Sequence, residues 1–168
     1  MSSGLTLMTT SVLAVVVRLS AIMKAVNITP HIVVTDADAA AAWYVQAFGA
    51  EERRRVPLPG GGVMSIELAI GATALHVAGE FPDAGVVSPS TIGGTATVLQ
   101  IETDDADALW ARALGAGAEV RHELADQFWG ERHGQVVDPF GHRWNIAQWL
   151  RDVTPEELAA GAAKSFGG

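Results

Sequence analysis

A stretch near the carboxyl end of the chain, DQFWGERHGQVVDPFGHRW at 126–144, concentrates residues that could do chemistry. Its nineteen positions include two histidines, three acidic residues and two tryptophans. Imidazoles and carboxylates at this density could ligate a metal ion or transfer protons. The same stretch also suits a β-hairpin, so the turn must be separated from the strands that would hold these side chains.

The segment Asp138 to His142, DPFGH, is first of all a hairpin turn. Proline presets the φ angle that a turn needs, and Gly141 supplies a positive φ. Asp138 is placed to accept hydrogen bonds from backbone N–H groups of the turn. We therefore expect Asp138, Pro139 and Gly141 to be structural, and we expect His142 to be exposed and not a ligand.

Two adjacent aromatic residues, Phe128 and Trp129, stand in the polar, glycine-containing segment that precedes the predicted seventh strand. They could fill the edge of the core. They could also stack on a flat ligand, with Glu131 or Arg132 fixing its orientation. The sequence leaves both alternatives open.

The composition limits the function classes. The 168 residues include no cysteine, which excludes disulfides, thiolate metal sites, Fe–S clusters and cysteine nucleophiles. A net charge of −8 disfavours nucleic acid as a partner and makes a neutral or cationic small ligand easier to accommodate. Neither a phosphate-binding P-loop nor a G-x-S-x-G nucleophile motif occurs. We expect a cytoplasmic protein.

Residues 1–26 form an N-terminal extension that we expect to be peripheral to the fold. Their apolar run, Val12 to Val17, is short and ends at Arg18, with no basic residue before it. A secretory signal has a basic start and a longer apolar core, and a membrane span needs about 20 apolar residues, so no membrane association is expected. Met23 would be a natural start before the first strand. Alternatively, the extension is an extra element that packs on a partner chain.

The chain also contains a weak internal repeat with an offset of 68 residues. Thr35-Asp36 recurs as Thr103-Asp104, and Gly49-Ala50-Glu51 recurs as Gly117-Ala118-Glu119. A constant offset across a helix predicts two copies of one structural unit.

Each copy predicts the element order βαβββ, because apolar β-branched runs flank a single helix. Asp36 is expected to cap the first helix, and Asp104 or Asp105 the second. Trp43 and Trp110, within these helices, are expected in the core.

The predicted domain spans 27–150, with one module at about 27–79, a linker rich in Gly, Pro and Ser at 80–94, and a second module at about 95–150. A capping box starting at Thr154 begins a short helix in the C-terminal segment 151–168. The predicted strands are 27–35, 51–58, 63–70, 72–78, 95–103, 119–124, 131–137 and 143–149.

Two βαβββ modules, opened by ITPHIVVTDADAAAAWY and carrying DPFGHRW in the second, resemble the vicinal oxygen chelate superfamily. That superfamily includes glyoxalase I, bleomycin- and fosfomycin-resistance proteins and extradiol dioxygenases. The chain is most similar to its uncharacterised glyoxalase/bleomycin-resistance-like members. The resemblance covers 28–149 and implies an α+β fold, in which the paired modules form a cup-shaped sheet with helices outside.

One module alone has an open sheet edge and too little core, so we also expect a homodimer.

The resemblance further implies a divalent metal in the cup, held by His, Glu or Gln on the first and last strands of each module. Three of those positions fall on Thr29, on Thr97 or Val98, and on Asn145. Only the fourth, at or beside His76, offers a plausible ligand. Glyoxalase I activity is therefore not expected, and we predict no tightly bound metal or other cofactor.

A substitute metal site is the alternative, because His31, Glu67 and His76 could form a 2-His-1-carboxylate set. We instead predict that the cup binds a small molecule. Its predicted wall is formed by His31, Glu67, His76, Gln100, Trp129, Arg132 and Asn145.

Three functions are consistent with the sequence. The leading one is a small-molecule-binding protein of the bleomycin-resistance type, which sequesters or carries an aromatic or cationic compound. The second is a divalent-metal-dependent lyase, isomerase or dioxygenase with an altered ligand set. The third is an accessory protein whose cup is vestigial and whose role is dimerisation or partner binding.

Overall fold

Two four-stranded sheets and four α-helices make up the part of the chain that the structure, a computed structural model, describes, residues 27–167. The predicted N-terminal extension at 1–26 lies outside these residues. The helices are α1 (Ala37–Phe48), α2 (Pro89–Ile92), α3 (Ala106–Gly115) and α4 (Pro155–Phe166). The strands are β1 (His31–Val34), β2 (Glu51–Pro57), β3 (Val63–Ile70), β4 (Thr73–Gly79), β5 (Val98–Glu102), β6 (Glu119–Asp126), β7 (Glu131–Val137) and β8 (Arg143–Trp149).

Both sheets have the same topology, which confirms the predicted α+β fold of two βαβββ modules. The strand orders are β1-β4-β3-β2 and β5-β8-β7-β6. In each sheet the first strand of the module pairs parallel with the last, and the remaining pairs are antiparallel. The parallel pair follows from the helical crossover that returns the chain to the sheet.

Three of the helices begin at a polar residue whose side chain accepts a hydrogen bond from a backbone N–H group of the first turn. Asp36 Oδ1 accepts a hydrogen bond from Ala39 N at 3.0 Å, as predicted for the start of α1. Of the two candidates for α3, the cap is Asp105, which accepts from Ala108 N at 2.9 Å. Thr154 and Glu157 form the predicted capping box of α4.

Strand alternation gives each sheet a helix-facing side and an open side. The helix-facing side is apolar. Its members are Ile32, Val34, Ile66, Leu68, Leu75 and Val77 in the first sheet, and Leu99, Ile101, Val136, Trp144 and Ile146 in the second. These residues and the helices α1 and α3 form one continuous core, in which Trp43 is 7% and Trp110 is 9% exposed. Both tryptophans are thus core residues, as predicted.

The two modules meet at a buried carboxylate, Asp138, in the turn between β7 and β8. Tyr44 Oη of α1 and Trp144 Nε1 donate to its Oδ2 at 2.6 and 2.8 Å. The backbone N–H groups of Phe140 and His142 donate to its Oδ1 at 2.9 Å. Asp138 therefore shapes its own turn, as predicted, and also holds a helix of the other module.

The prediction that His142 is exposed is wrong. Its side chain is buried, and ring Nε2 donates to Val33 O of β1 at 2.9 Å. This contact crosses from the second module to the free edge of β1, and such a partner 109 residues away leaves no trace in local sequence.

The connection between the modules is ordered by its own polar contacts. Glu80 Oε1 accepts from Ser88 N at 2.6 Å and from Thr91 Oγ1 at 2.5 Å. Ser90 Oγ, in α2, donates to Phe140 O at 3.0 Å. The connection is thereby attached to the β7–β8 turn. None of the helices in residues 27–167 is long and apolar enough to span a membrane.

Gly141 in the β7–β8 turn has a φ of +88°, and a Cβ there would lie 3.0 Å from Pro89 Cβ. We expect Gly141→Val to lower the free energy of unfolding by about 1–3 kcal/mol, because a β-branched residue is strained at positive φ. Chemical denaturation measures this. The matched control is Gly115→Ala, where φ is not positive and the added Cβ meets no atom within 4 Å. Wild-type stability in Gly141→Val would contradict the structural role of this turn.

Tyr44, the only tyrosine in the chain, provides a pH-dependent probe of the junction. Burial, and then the neighbouring Asp138 carboxylate, raise the pKa of its phenol well above the usual value. The unfolded chain loses this proton near pH 10 and the folded chain does not, so stability should fall as pH rises above about 10. Tyrosinate absorbance should therefore appear together with unfolding, measured by circular dichroism. Tyrosinate in a still-folded protein would refute this.

Candidate functional site

The open side of the first sheet carries three of the predicted site residues in one row. His31 on β1 is level with His76 on β4, and Glu67 on β3 is level with His76 from the other side. The two imidazole rings meet edge to face, with centroids 5.0 Å apart. Glu67 is held by Arg54 of β2, with Nη2 and Oε2 3.1 Å apart. The row is therefore a chain of contacting polar groups.

The second sheet has a row at the corresponding level, made of three amides and, on β6, His122 level with Gln135. Gln100 on β5 is level with Asn145 on β8, which is level with Gln135 on β7. Gln135 Nε2 donates to Asn145 Oδ1 at 2.8 Å. Strand register thus places Gln100 and Asn145 where the first sheet has His31 and His76. Amides can both donate and accept, so this row suits a neutral hydrogen-bonding partner.

Arg132 does not join the other predicted residues. It lies on the helix-facing side of β7, the side on which Gly134 packs against Trp110 of α3. Its guanidinium pairs with Asp107 of α3 at 2.7 Å and with Asp126 of β6 at 2.9 Å. The hydrogen bond from Arg132 lowers the pKa of Asp107. Side chains alternate along β7, and Arg132 stands between the open-side residues Glu131 and His133. Its side chain therefore points to the helix-facing side.

The two adjacent aromatic residues, Phe128 and Trp129, take different positions in the structure. Phe128 packs on Gly161 and Phe166 of α4, so it fills the edge of the fold. Trp129 turns towards the open side, where its ring lies 5.6 Å from that of His133 and its Nε1 donates to Glu131 Oε2 at 2.9 Å. Burial lowers the pKa of His133.

A cleft of about 510 Å³ extends over the open side of the second sheet next to these groups. We call it the acidic cleft, because Glu102, Asp104 and Glu131 line it together with Trp149. The indole of Trp149 is 63% exposed. The sequence prediction missed this cleft. Alternation from Gln100 could have identified Glu102, but only the pairing of β7 with β8 brings Glu131 level with Trp149.

Two further clefts lie between the modules, where β1 and β5 face each other without strand pairing. One, of about 440 Å³, has mostly apolar or backbone walls that include Leu75, Leu99 and Trp144. The other, of about 200 Å³, is lined by His31, His142 and Arg143 among others, and we call it the basic cleft.

The side chains present do not fit a metal centre of the type that the resemblance implied. Within residues 27–167, no three His, Asp or Glu side chains are grouped so that they could hold an ion. His31 and His76 are neighbours, but the carboxylate expected to join them, Glu67, is paired with Arg54. The corresponding row of the second sheet has amides.

Comparison with known proteins supports the assignment of the fold. Residues 22–146 match the model of the glyoxalase/bleomycin resistance protein/dioxygenase superfamily. The uncharacterized protein Mb0911c of Mycobacterium bovis is 40% identical over 136 residues, which cover 79% of this chain and 90% of that protein. The uncharacterized protein Rv0887c of Mycobacterium tuberculosis is also 40% identical, with 79% and 80% covered.

Solved structures show the same architecture. TioX from Micromonospora superposes with a TM-score of 0.60 at 29% identity, covering 75% of this chain and all 100% of TioX. The fosfomycin resistance protein FosX from Listeria monocytogenes, whose structure contains Mn(II) and sulfate, has a TM-score of 0.56 at 16% identity. That match covers 82% of this chain and 98% of FosX, and it shows the fold alone.

The absence of a stoichiometric metal stays a prediction. We expect the purified, untagged protein to contain no Zn, Ni, Fe or Mn at one ion per chain, because Glu67 is paired elsewhere and the amide row is a poor ligand set. Elemental analysis measures this. One ion per chain that is lost in His76→Ala, and retained in the exposed control His122→Ala, would contradict the prediction.

Proposed function

Because the chain belongs to the glyoxalase/bleomycin resistance protein/dioxygenase superfamily, we propose that it binds a small organic molecule and sequesters or carries it. The compound is aromatic or cationic, and it occupies the open side of the second sheet. The observation that carries this proposal is the acidic cleft, which three carboxylates and the exposed Trp149 line together.

The charge of the acidic cleft supports a cationic ligand. Glu102, Asp104 and Glu131 line it, and within residues 27–167 none of the three forms a salt bridge. Carboxylates gathered in a cleft, without cations to neutralise them, create a negative potential that attracts a positive ligand. The net charge of −8 adds to this attraction over longer distances.

Trp149 supports a flat or quaternary partner. Its indole lies at the end of β8 and is 63% exposed, although burial of such a large apolar surface is favourable. A cation over an indole face gains about 0.5–2 kcal/mol, depending on how far it is desolvated. Ala147, two residues earlier on the same side of β8, also lines the cleft and leaves room beside the ring.

Two predicted site residues support the carboxylates of the cleft. Trp129 Nε1 donates to Glu131 Oε2 at 2.9 Å, and Gln100 Nε2 lies 3.5 Å from Glu102 Oε1. These contacts orient the carboxylates before a ligand arrives, which lowers the entropy cost of binding. Four other predicted site residues lie along the open sides of the two sheets, namely His31, Glu67, His76 and Asn145. Their roles in ligand binding stay predictions.

We also propose that two copies of the chain associate. β2 pairs only with β3 and β6 only with β7, so in the described part of the chain the outer edge of each sheet is free. Free strand edges favour pairing or cover by another chain. The core, however, is shared by both modules of one chain and does not require a second copy to close it.

The test of the proposed function uses a matched pair of probes. Benzyltrimethylammonium should bind and quench tryptophan fluorescence, whereas the uncharged benzyl alcohol should bind much more weakly. Glu131→Gln keeps the acceptor for Trp129 but removes a charge, and it should weaken cation binding by about 1 kcal/mol in calorimetry. Trp149→Ala should weaken it by about 1 kcal/mol or more.

The control variant is Glu123→Gln, which removes the same charge from an exposed position on β6 that does not line the cleft. Its affinity should be close to that of the wild type. Equal affinity for the two probes, or equal losses in Glu131→Gln and Glu123→Gln, would show that the acidic cleft is not the binding site.

A further inference from the structure

The basic cleft between the modules has the opposite character to the rest of the surface. The chain has a net charge of −8, yet all three titratable side chains that line this cleft are bases, His31, His142 and Arg143. No carboxylate is among its lining residues, whereas Glu102 lines both of the other clefts named above. A local reversal of charge inside an acidic protein indicates a site for a negative group.

Arg143 is the dominant charge in the basic cleft. It lies at the start of β8, level with Val98 of β5, and is half-buried. In the described part of the chain its guanidinium has no salt bridge and no side-chain hydrogen bond. By contrast, Arg54, Arg55 and Arg132 are all paired with carboxylates. A guanidinium without a partner in a recess is able to bind an oxyanion with two parallel hydrogen bonds.

Two other walls of the basic cleft present polar groups. His142 is only 8% exposed, and its ring is fixed because Nε2 donates to Val33 O at 2.9 Å. On the β5 side, Thr97 contributes a hydroxyl, and its backbone N–H donates to Thr95 Oγ1 at 3.0 Å. The remaining walls are mostly apolar and include Val87 and Ile92. The recess therefore offers a ligand the Thr97 hydroxyl and the Arg143 guanidinium as free donors, beside a largely apolar wall.

We propose that the basic cleft binds a small oxyanion, the carboxylate or phosphate group of a small molecule, with Arg143 as its charge partner. The volume of about 200 Å³ admits such a group but is too small for a large aromatic body. Neither of the elements that form the site suffices alone, because β1 contributes His31 while the β7–β8 turn and β8 contribute His142 and Arg143.

The experiment titrates the full-length protein with sodium phosphate and, separately, with sodium acetate, at constant ionic strength and against chloride. Binding is followed by calorimetry and by backbone amide chemical shifts. We expect saturable binding of at least one of the two anions, with shifts concentrated at 94–99 and 142–143. The anion that binds more tightly identifies the chemical source of the group.

Arg143→Gln should weaken anion binding by about tenfold or more, since a hydrogen bond to a charged group is worth about 1.5–3 kcal/mol. The matched control, Arg121→Gln on exposed β6, changes the net charge equally and should bind as the wild type does. Thr97→Val provides a second, conservative variant and should weaken binding without altering the circular dichroism spectrum.

Two outcomes would overturn the proposal. One is the lack of saturable binding of either anion by the full-length wild type. The other is an equal effect of Arg143→Gln and Arg121→Gln, which would indicate only general charge attraction. Neither bears on the acidic cleft, because the probes there are cations and the variants are at Glu131 and Trp149. The two proposals can thus fail separately.

Discussion

The structure depends on one buried carboxylate. Asp138 is 3% exposed and receives four hydrogen bonds, two from its own turn, one from Trp144 and one from Tyr44 of the other module. Hydrogen bonds to a charged group are worth about 1.5–3 kcal/mol each, and a buried charge without them is strongly destabilising. The modules are therefore coupled, because α1 cannot leave the second sheet without removing a donor from Asp138. The contact of His142 with Val33 extends the same junction to the edge of β1.

The packing at this junction determines which surfaces of the molecule are buried and which stay accessible. Since α1, α3 and one side of each sheet are used in the shared core, the open sides and the gap between β1 and β5 are left accessible. These surfaces differ in charge. Carboxylates gather over the second sheet beside Trp149, whereas Arg143 and two imidazoles gather in the gap. Glu102, Glu131 and Arg143 all stand on paired strands, so strand pairing positions their backbone without a ligand.

Several elements were predictable because their determinants are local. The strands β3, β7 and β8 have the predicted bounds, and the helix caps at Asp36 and Thr154 act as expected. The predicted bounds of β1 and β5 were less accurate, because both strands are shorter than the apolar runs from which they were predicted. A strand extends only as far as it finds a pairing partner, and the pairing covers only His31–Val34 in β1 and Val98–Glu102 in β5.

The sequence by itself determined the fold class, the hairpin turn at Asp138 and most residues of the open sides, because alternation and turn chemistry act over a few positions. Only the tertiary structure decided which polar residues meet. Arg132, next to the open side in sequence, turns to Asp107 on α3, and His142 is buried against a strand 109 residues away. The carboxylates and the indole of the acidic cleft come from separate strands, so they meet only through strand register. Distances between such groups are set by pairing and packing over the whole domain, which no local pattern records.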